Sequence, residues 1–426
     1  MKLKQYGLGL VCVTLCTLAV AQNAKPDSPQ DASIIHNLIQ SALERHPTVR
    51  ARGYDYSGAL NEMNVAKWQY FPTPVTSFQQ FDKAQNAYTD TKVTTVGLKQ
   101  PIWTFGRLSA GVANARIKQN IALATQNEAK RDVALDVILA WSETRNMFAR
   151  VKVTTYSLAK HQESLNQISS RANEGVAAQS DVLLAQSRME GVQAELIAAQ
   201  SSLASAKKKL ENLVGFNLSQ EIIEKFEKIP PRTIITPNDI QLEEIYSIDP
   251  TLARLNAEYE LIETEMNIAK SALSPEVSVQ VVNRQGDVSK GVTQWVLGVD
   301  SRWGAGLSNL STLSVFESKR EAKSADIDAR KLKLREQLNV DLLSSESIRN
   351  RIGSFNKVLS TTKSISDSWN RQYLSGKKTW QDVMNAYREM FQSEVQLAEV
   401  TSNLDLINMR LVILTKGVDA VLKGTP

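Results

Sequence analysis

Glu62-Met63-Asn64-Val65-Ala66-Lys67 returns as Glu265-Met266-Asn267-Ile268-Ala269-Lys270, and each copy is followed by a proline, Pro72 and Pro275, at the same offset of 203 residues. His46-Pro47-Thr48-Val49 has its counterpart in Asp249-Pro250-Thr251-Leu252 at that offset. Near the end of each half, Ser180-Asp181-Val182-Leu183-Leu184-Ala185 matches Gln381-Asp382-Val383-Met384-Asn385-Ala386. Solenoid arrays need several units of roughly 20 to 50 residues to bury a core. Two long copies instead imply a single duplicated body with a pseudo-two-fold plan.

Working outward from these repeats, each half reads as helix, strand, turn, strand, very long helix, break, helix. In the first half the helical pattern runs from Ala32 to Tyr70 and stops at Phe71-Pro72-Thr73-Pro74, where two prolines forbid helix. Val75 to Gln100 reads as two strands around Ala84-Gln85-Asn86, with Pro101 near their end. From Gly106 to Asn173 nothing interrupts a helical pattern, and at 1.5 Å per residue such a run reaches about 100 Å. Globular domains rarely hold a helix of that length.

Beyond the break at Glu174-Gly175 the apolar residues fall into heptads. Val182, Met189, Leu196, Leu203 and Leu210 form one row, beside Ala185, Val192, Ala199, Ala206 and Leu213. The second half repeats the device with Val383, Met390, Leu397, Leu404 and Leu411, beside Ala386, Ser393, Val400, Ile407 and Leu414. Heptads in both copies predict coiled-coil packing. The divisions that follow are a signal peptide over 1–21 and a first repeat over 22–215, with its strand pair at about 73–104 and its helical hairpin at about 106–215. A crossover linker over 216–238, carrying Pro230-Pro231 and Pro237, leads to a second repeat over 239–417. That repeat holds a strand pair at about 275–303 and a hairpin at about 308–416, before a C-terminal tail over 418–426.

Lys2 and Lys4, the apolar run Leu8 to Val20 and the small residues Ala19-Val20-Ala21 have the order of a cleaved secretory signal, placing the mature chain outside the cytoplasm. Both cysteines, Cys12 and Cys16, fall inside that segment, without the small residues that precede a lipidated cysteine. The mature chain is therefore expected to have no lipid anchor, disulfide or cysteine metal site. Losing Lys2 and Lys4 takes the formal charge from +5 to +3, too slight an excess to suggest nucleic acid as a partner. No later apolar run approaches the roughly 20 residues of a spanning helix, so a membrane crossing would have to use strands.

The second strand pair alternates cleanly: Val277, Val279 and Val281 with Ser278 and Gln280, then, after Gly286-Asp287, Trp295, Leu297 and Val299 with Gln294, Gly298 and Asp300. Trp103, Trp295 and Trp303 sit near strand ends. This pattern suits lipid-facing barrel strands with interfacial aromatics, and equally a soluble hairpin capping a coiled coil. Four strands cannot close a barrel, since open edges in lipid leave backbone groups unpaired. On the membrane reading, several copies must share one barrel.

At this point the chain resembles the TolC-type outer-membrane channel (outer membrane efflux protein) family over essentially its whole mature length. The resemblance rests on the paired segments Ala66 to Pro72 and Ala269 to Pro275, on Gln100-Pro101-Ile102-Trp103-Thr104-Phe105-Gly106-Arg107 at a strand-to-helix junction, and on the helix-break-helix segments Arg171 to Gly215 and Arg371 to Gly417. It implies a mainly α fold with transmembrane β structure: a homotrimer sharing a twelve-stranded barrel, four strands per chain, continued by a long α-helical periplasmic tunnel. It implies residence in the outer membrane of a Gram-negative bacterium, against outer-membrane lipid. The implied partners are a periplasmic membrane-fusion adaptor and an inner-membrane ABC transporter or RND-type pump.

The resemblance also implies site residues. The tips Asn173 to Ala177 and Leu374 to Lys378 would be adaptor-docking turns, with Gly175, Val176, Ser375 and Gly376 at the contact; the residues alone say only that glycine ends a helix there. Tyr373 and Asp181 occupy positions resembling a gate-locking hydrogen bond, and Lys378 matches a basic locking position within reach of Ser180. Asp382 resembles the aperture acid that three-fold symmetry turns into an anionic ring. The place of a second acid is taken by Asn385, so weaker cation selectivity is expected. Read without the resemblance, Asp181 and Asp382 are first-turn acids that cap or offset a helix dipole.

His36, His46 and His161 show no mutual ligand spacing, and no nucleophile, phosphate-cradling loop or paired acids stand out, so no catalytic residue, metal site or cofactor is assigned. The Gln100 to Arg107 junction and the short stretch after Gly417 resemble the agglutination or adhesin-secretion members of the TolC-type family, and many of its dedicated efflux members begin with a lipidated cysteine. With no such cysteine expected here, the resemblance implies type I secretion of a large, adhesin-like protein over small-molecule or drug efflux. A periplasmic coiled-coil adaptor or scaffold is the alternative of a different class. It fits the signal and the heptads, and fits less well two full copies of strand pair plus hairpin.

Overall fold

The computed structural model describes residues 32–81, 90–226, 235–236, 240–301 and 308–422. The expected signal peptide, the turn around Asn86, Pro230-Pro231, Pro237 and Trp303 lie outside the described residues. The duplication is visible in the lengths of the elements. The first repeat has α2 (Pro47–Trp68), β1 (Thr73–Gln80), β2 (Lys92–Trp103), α3 (Arg107–Asn173) and α4 (Gln179–Val214), preceded by α1 (Ala32–Arg45). After α5 (Gln220–Lys225) and α6 (Leu242–Ile248), the second has α7 (Pro250–Ala272), β3 (Glu276–Gly286), β4 (Val292–Asp300), α8 (Ser308–Leu374) and α9 (Trp380–Lys416), then α10 (Val418–Leu422). Helices α3 and α8 each have 67 residues.

Three expectations need correction. The helix expected over 32–70 is two helices, because Pro47 has no N–H to donate and holds His46 extended at φ −63°, ψ 127°. The stretch expected to be a crossover linker contains α5, whose Ile223 and neighbouring Phe226 are buried, Phe226 against Trp141 with ring centroids 6.1 Å apart. The C-terminal stretch begins with α10, which buries Val421 in the same core.

The repeats diverge at their first caps. His46 Nδ1 accepts from the Thr48 amide at 3.3 Å, whereas Asp249, at the equivalent place before α7, accepts from the Leu252 amide at 2.8 Å and also binds two arginines. Arg131 of α3 reaches Asp249 at 3.1 Å and Arg330 of α8 at 2.7 Å. The carboxylate is buried, so this charge is tolerated only because both long helices supply a guanidinium. Arg145 pairs with Asp405 and Arg410 with Asp341, tying α3 and α8 to α9.

The four strands make one antiparallel sheet in the order β1-β2-β3-β4. Its registers place Leu98 opposite Val281 and Val281 opposite Trp295, so Leu98, Val281, Trp295, Val279, Leu297 and Val299 share one face. Leu98, Trp295, Leu297 and Val299 are more than half exposed. The other face carries Lys99, Ser278, Gln280 and Asp300, with Lys99 3.6 Å from Asp300. Gly97 is required where β2 crosses β3 closely, since a Cβ there would lie 2.4 Å from the Val281 carbonyl oxygen. The chain leaves the sheet through Phe105 and Gly106, both at positive φ (49° and 86°), and enters α3 at once.

Next to the sheet α7 packs on both long helices, and farther along α3 packs on α4 and α9 and α8 on α9. The main core gathers α1, α3, α4, α8 and α9 around Trp141, Ile138, Leu210, Leu334 and Leu411. The heptad rows behave differently in the two hairpins. In α9, Val383, Met390, Leu404, Leu411, Ala386, Val400, Ile407 and Leu414 are all buried. In α4 only Leu196, Leu210, Ala185, Ala199 and Ala206 are, while Val182, Met189 and Leu203 are half-buried. Among the described residues, no helix is long and apolar enough to cross a membrane.

Candidate functional site at the helical tips

The two hairpins turn on glycines used alike. Gly175 (φ 74°) and Gly376 (φ 73°) take the left-handed conformation after α3 and α8, allowing the Val176 amide to donate to Arg171 O at 2.8 Å and the Lys377 amide to Gln372 O at 2.9 Å. These bonds satisfy carbonyls that the helix ends leave open. A Cβ on either glycine would meet open space, and Val176 is 63% exposed, with Ser375 exposed beside Gly376. Gly175, Val176, Ser375 and Gly376 thus form two small projecting turns.

The start of the second helix differs between the tips. Thr379 Oγ1 accepts from the Asp382 amide at 3.2 Å, and Asp382 Oδ2 accepts from the Thr379 amide at 3.2 Å and its hydroxyl at 2.8 Å, closing a capping box at the head of α9. The Thr379 hydrogen bonds, aided by the Lys378 charge, hold the Asp382 carboxyl below the usual aspartate range. Asp382 is therefore ionised as well as a cap. In the first tip Ala178 occupies the cap and offers no side chain, so Asp181 lies in the first turn of α4 without a capping bond.

The side chains expected to lock the gate do not meet within one chain. Tyr373 is buried, and its Oη has no hydrogen-bond partner among the described residues, so the expected bond to Asp181 is not formed inside the protomer. Packing explains this: the phenol belongs to an apolar cluster with Trp380, Val383, Met384 and Tyr387. Lys378 does not bond Ser180; its Nζ lies 4.3 Å from the centre of the Trp369 ring. Ser180 is exposed, and Asn385 Oδ1 accepts from Arg388 Nη2 at 3.1 Å.

What joins the tips is a residue that the sequence marks only as the start of a helix-break-helix segment. Arg171, in the last turn of α3, donates from Nη1 to Tyr373 O at 3.2 Å and stacks on the Tyr373 ring at 4.8 Å. Trp380 adds a second cross-link, its indole N–H donating to Ser164 Oγ of α3 at 2.5 Å. A lone arginine at a helix C-terminus reads as a dipole partner, and nothing in its spacing signals the second role. Among the described residues there is no cluster of three or more His, Cys, Asp or Glu side chains placed to hold a metal.

The sequence model of the family described as Outer membrane efflux protein matches residues 38–216, the first repeat from α1 to the end of α4. Comparison with curated protein sequences gives no match. Solved structures match nearly the whole chain. The outer membrane protein VceC from Vibrio cholerae superposes with a TM-score of 0.75 at 17% identity, over 91% of this chain and 97% of that one. The CmeC outer membrane channel of Campylobacter jejuni gives 0.76 at 12% identity, over 94% and 90%. The open state of the Neisseria gonorrhoeae MtrE outer membrane channel gives 0.74 at 16%, over 94% and 96%. At these identities the likeness establishes the fold over both repeats, while the family match itself covers the first.

Proposed function

We infer that this chain is a TolC-type outer-membrane channel, and we propose that it is the outer-membrane conduit of a tripartite export machine. The observation that carries this reading is the sheet: four strands with an exposed apolar face, open along β1 and β4, set at one end of two 67-residue helices. Such a sheet is unstable alone in water or in lipid, because one face is apolar and two edges carry unpaired backbone groups. Three copies close it into a twelve-stranded barrel, with the helices, about 100 Å long, continuing as a tunnel through the periplasm. Leu183 and Ile197 on α4 and Leu332, Val340 and Leu343 on α8 are exposed along the flanks of the helical layer, which suits burial between neighbouring subunits.

The machine is completed by a periplasmic membrane-fusion adaptor docking on Gly175, Val176, Ser375 and Gly376, and by an inner-membrane ABC transporter or RND-type pump. In the trimer, Asp382 contributes one carboxylate per subunit to a single ring at the aperture, and Asn385 leaves the next level uncharged. Asp181, Lys378 and Ser180 belong to the gate through contacts made between subunits, and Tyr373 supports it from within the apolar cluster of its own protomer. For cargo, type I secretion of a large adhesin-like protein rests on the resemblance of the Gln100 to Arg107 junction, while the matched family's description, outer membrane efflux protein, favours efflux.

The deciding experiment has two stages. Detergent extraction of the outer-membrane fraction is expected to yield a stable trimer that conducts in a planar bilayer; a soluble monomer would overturn the channel reading in favour of a scaffold. Quantitative proteomics of surface and medium then compares cells with and without the protein. Loss of one large secreted or surface-held protein supports type I secretion, and an unchanged profile with increased sensitivity to toxic compounds assigns the channel to efflux.

A further inference from the structure

A cleft of about 570 Å³ lies between α3, α4 and α9, on the core side of the tips. Its floor is apolar, formed by Val153, Val192, Met384, Phe391 and Val395. Its rim brings together three guanidiniums, one from each helix: Arg150, Arg188 and Arg388. Among the described residues none of the three is in an ion pair. Arg188 lies over the Trp380 ring at 5.5 Å, and Arg388 donates to the neutral Asn385 amide oxygen at 3.1 Å. Glu195 is the single carboxylate in the lining.

Arg150 and Arg388 are exposed and Arg188 is half-buried, so the three charges meet at the mouth of the cleft. In the core, by comparison, four arginines are paired with buried acids, Arg131 and Arg330 with Asp249, Arg410 with Asp341 and Arg145 with Asp405. Here three like charges face one apolar floor and one acid, and partial burial together with the Arg388 charge disfavours ionisation of Arg188. His161 adds no charge to the set. It is 8% exposed, Nδ1 donates to Ser157 O at 2.9 Å, and burial, with Arg188 facing it, pushes its pKa down despite Glu195. The cleft thus offers forked N–H donors above a flat hydrophobic surface. An anion with a planar head accepts the donors in pairs, and an apolar body displaces water from the half-buried Val192 and Val395 at the edge of the floor.

We propose that this cleft binds an amphipathic organic anion, a carboxylate or sulfonate carried on a flat apolar body, with the head between Arg188 and Arg388 and the body on the floor around Phe391. The site lies within a single protomer, so it does not depend on which cargo the channel exports.

Isothermal titration of the purified full-length protein in a non-ionic detergent, with 2-naphthalenesulfonate as the probe, tests it. Saturable binding of one probe per chain is expected, with inorganic sulfate and neutral 2-naphthalenemethanol each binding much more weakly. Removing both head contacts with R188Q and R388Q should weaken binding at least about ten-fold, as loss of charge-assisted hydrogen bonds does. Glu195→Gln removes the competing carboxylate and should tighten binding about three-fold or more, a gain that misfolding cannot imitate. No saturable binding of the probe, equal affinity in the double arginine variant, or an unchanged or weaker affinity in Glu195→Gln would overturn the proposal. So would sulfate or the neutral alcohol binding as tightly as the naphthalenesulfonate.

Discussion

Arg171→Ala should uncouple the two tips of a protomer. The side chain makes one charged hydrogen bond to the Tyr373 carbonyl at 3.2 Å and one cation–π contact at 4.8 Å, both partly shielded from water. A hydrogen bond to a charged group contributes about 1.5–3 kcal/mol and a cation–π contact at a half-open site about 0.5–1 kcal/mol. The two share one guanidinium and are not additive, so the coupling is worth about 1–3 kcal/mol, a shift of roughly 5- to 150-fold between joined and separated tips. The chain's two cysteines, Cys12 and Cys16, lie in the N-terminal apolar segment. Spin labels at Val176→Cys and Ser375→Cys therefore report the tip separation by pulsed dipolar spectroscopy. In the arginine variant the distance distribution should broaden and lengthen, and Arg171→Lys should recover only part of the contact, since a lysine lacks the planar fork. Tyr373→Leu, which keeps the carbonyl and loses the ring, should fall between the two. An unchanged distribution in Arg171→Ala would refute the assignment of Arg171 as the tie.

Other consequences are as direct. Asp249→Ala leaves Arg131 and Arg330 facing each other without their shared carboxylate and removes the cap of α7; a loss of about 3–5 kcal/mol is expected in chemical unfolding, against less than about 1 kcal/mol for the exposed His46→Ala cap. Ala178→Thr allows the first tip to form the box that Thr379 and Asp382 form in the second, and should raise stability by about 0.5–1 kcal/mol. Asp382→Ala should lower cation-over-anion selectivity in a planar bilayer, where an unchanged reversal potential in a salt gradient would count against the ring. His161, kept neutral by burial, takes up a proton in the unfolded chain near its ordinary pKa but in the folded chain only at lower pH. Stability should therefore be full above about pH 7 and fall as pH drops through the ordinary histidine range toward the depressed folded value, and His161→Gln should flatten that fall in a melting-temperature series.

Much of the architecture was legible because it rests on local rules. The span from Arg107 to Asn173 contains no proline and a single glycine, Gly111, so the 67-residue helix follows from the absence of any reason to stop. The strand pair from Val277 to Val299 alternates with period two, and the observed registers keep those valines on one face with Trp295 and Leu297. Other features depend on tertiary packing. The segment containing α5 has the composition of a connection, yet Phe226 finds a hole beside Trp141 that no local pattern reports. Tyr373 sits at a position that suggests a lock, but the side chain turns into the apolar cluster around Trp380, where burying the ring outweighs a partner for its hydroxyl. Both aspartates are first-turn acids as read; Asp382 is also a cap because Thr379 stands three residues before it, while Ala178 leaves Asp181 with the dipole role alone.

The equal lengths of α3 and α8 make each protomer a pair of matched levers. With both helices clamped about a third of the way along through Asp249, each free arm is about 65 Å long, and a tilt of only about one degree moves a free end sideways by about 1.1 Å. A few degrees is enough to carry a tip across the width of a side chain, with no bond in the core stretched by more than a small fraction of that distance. In the proposed channel this gearing lets a weak push at the tips be felt as little more than thermal breathing at the sheet, so one pair of continuous helices could serve both a membrane seal and a periplasmic aperture.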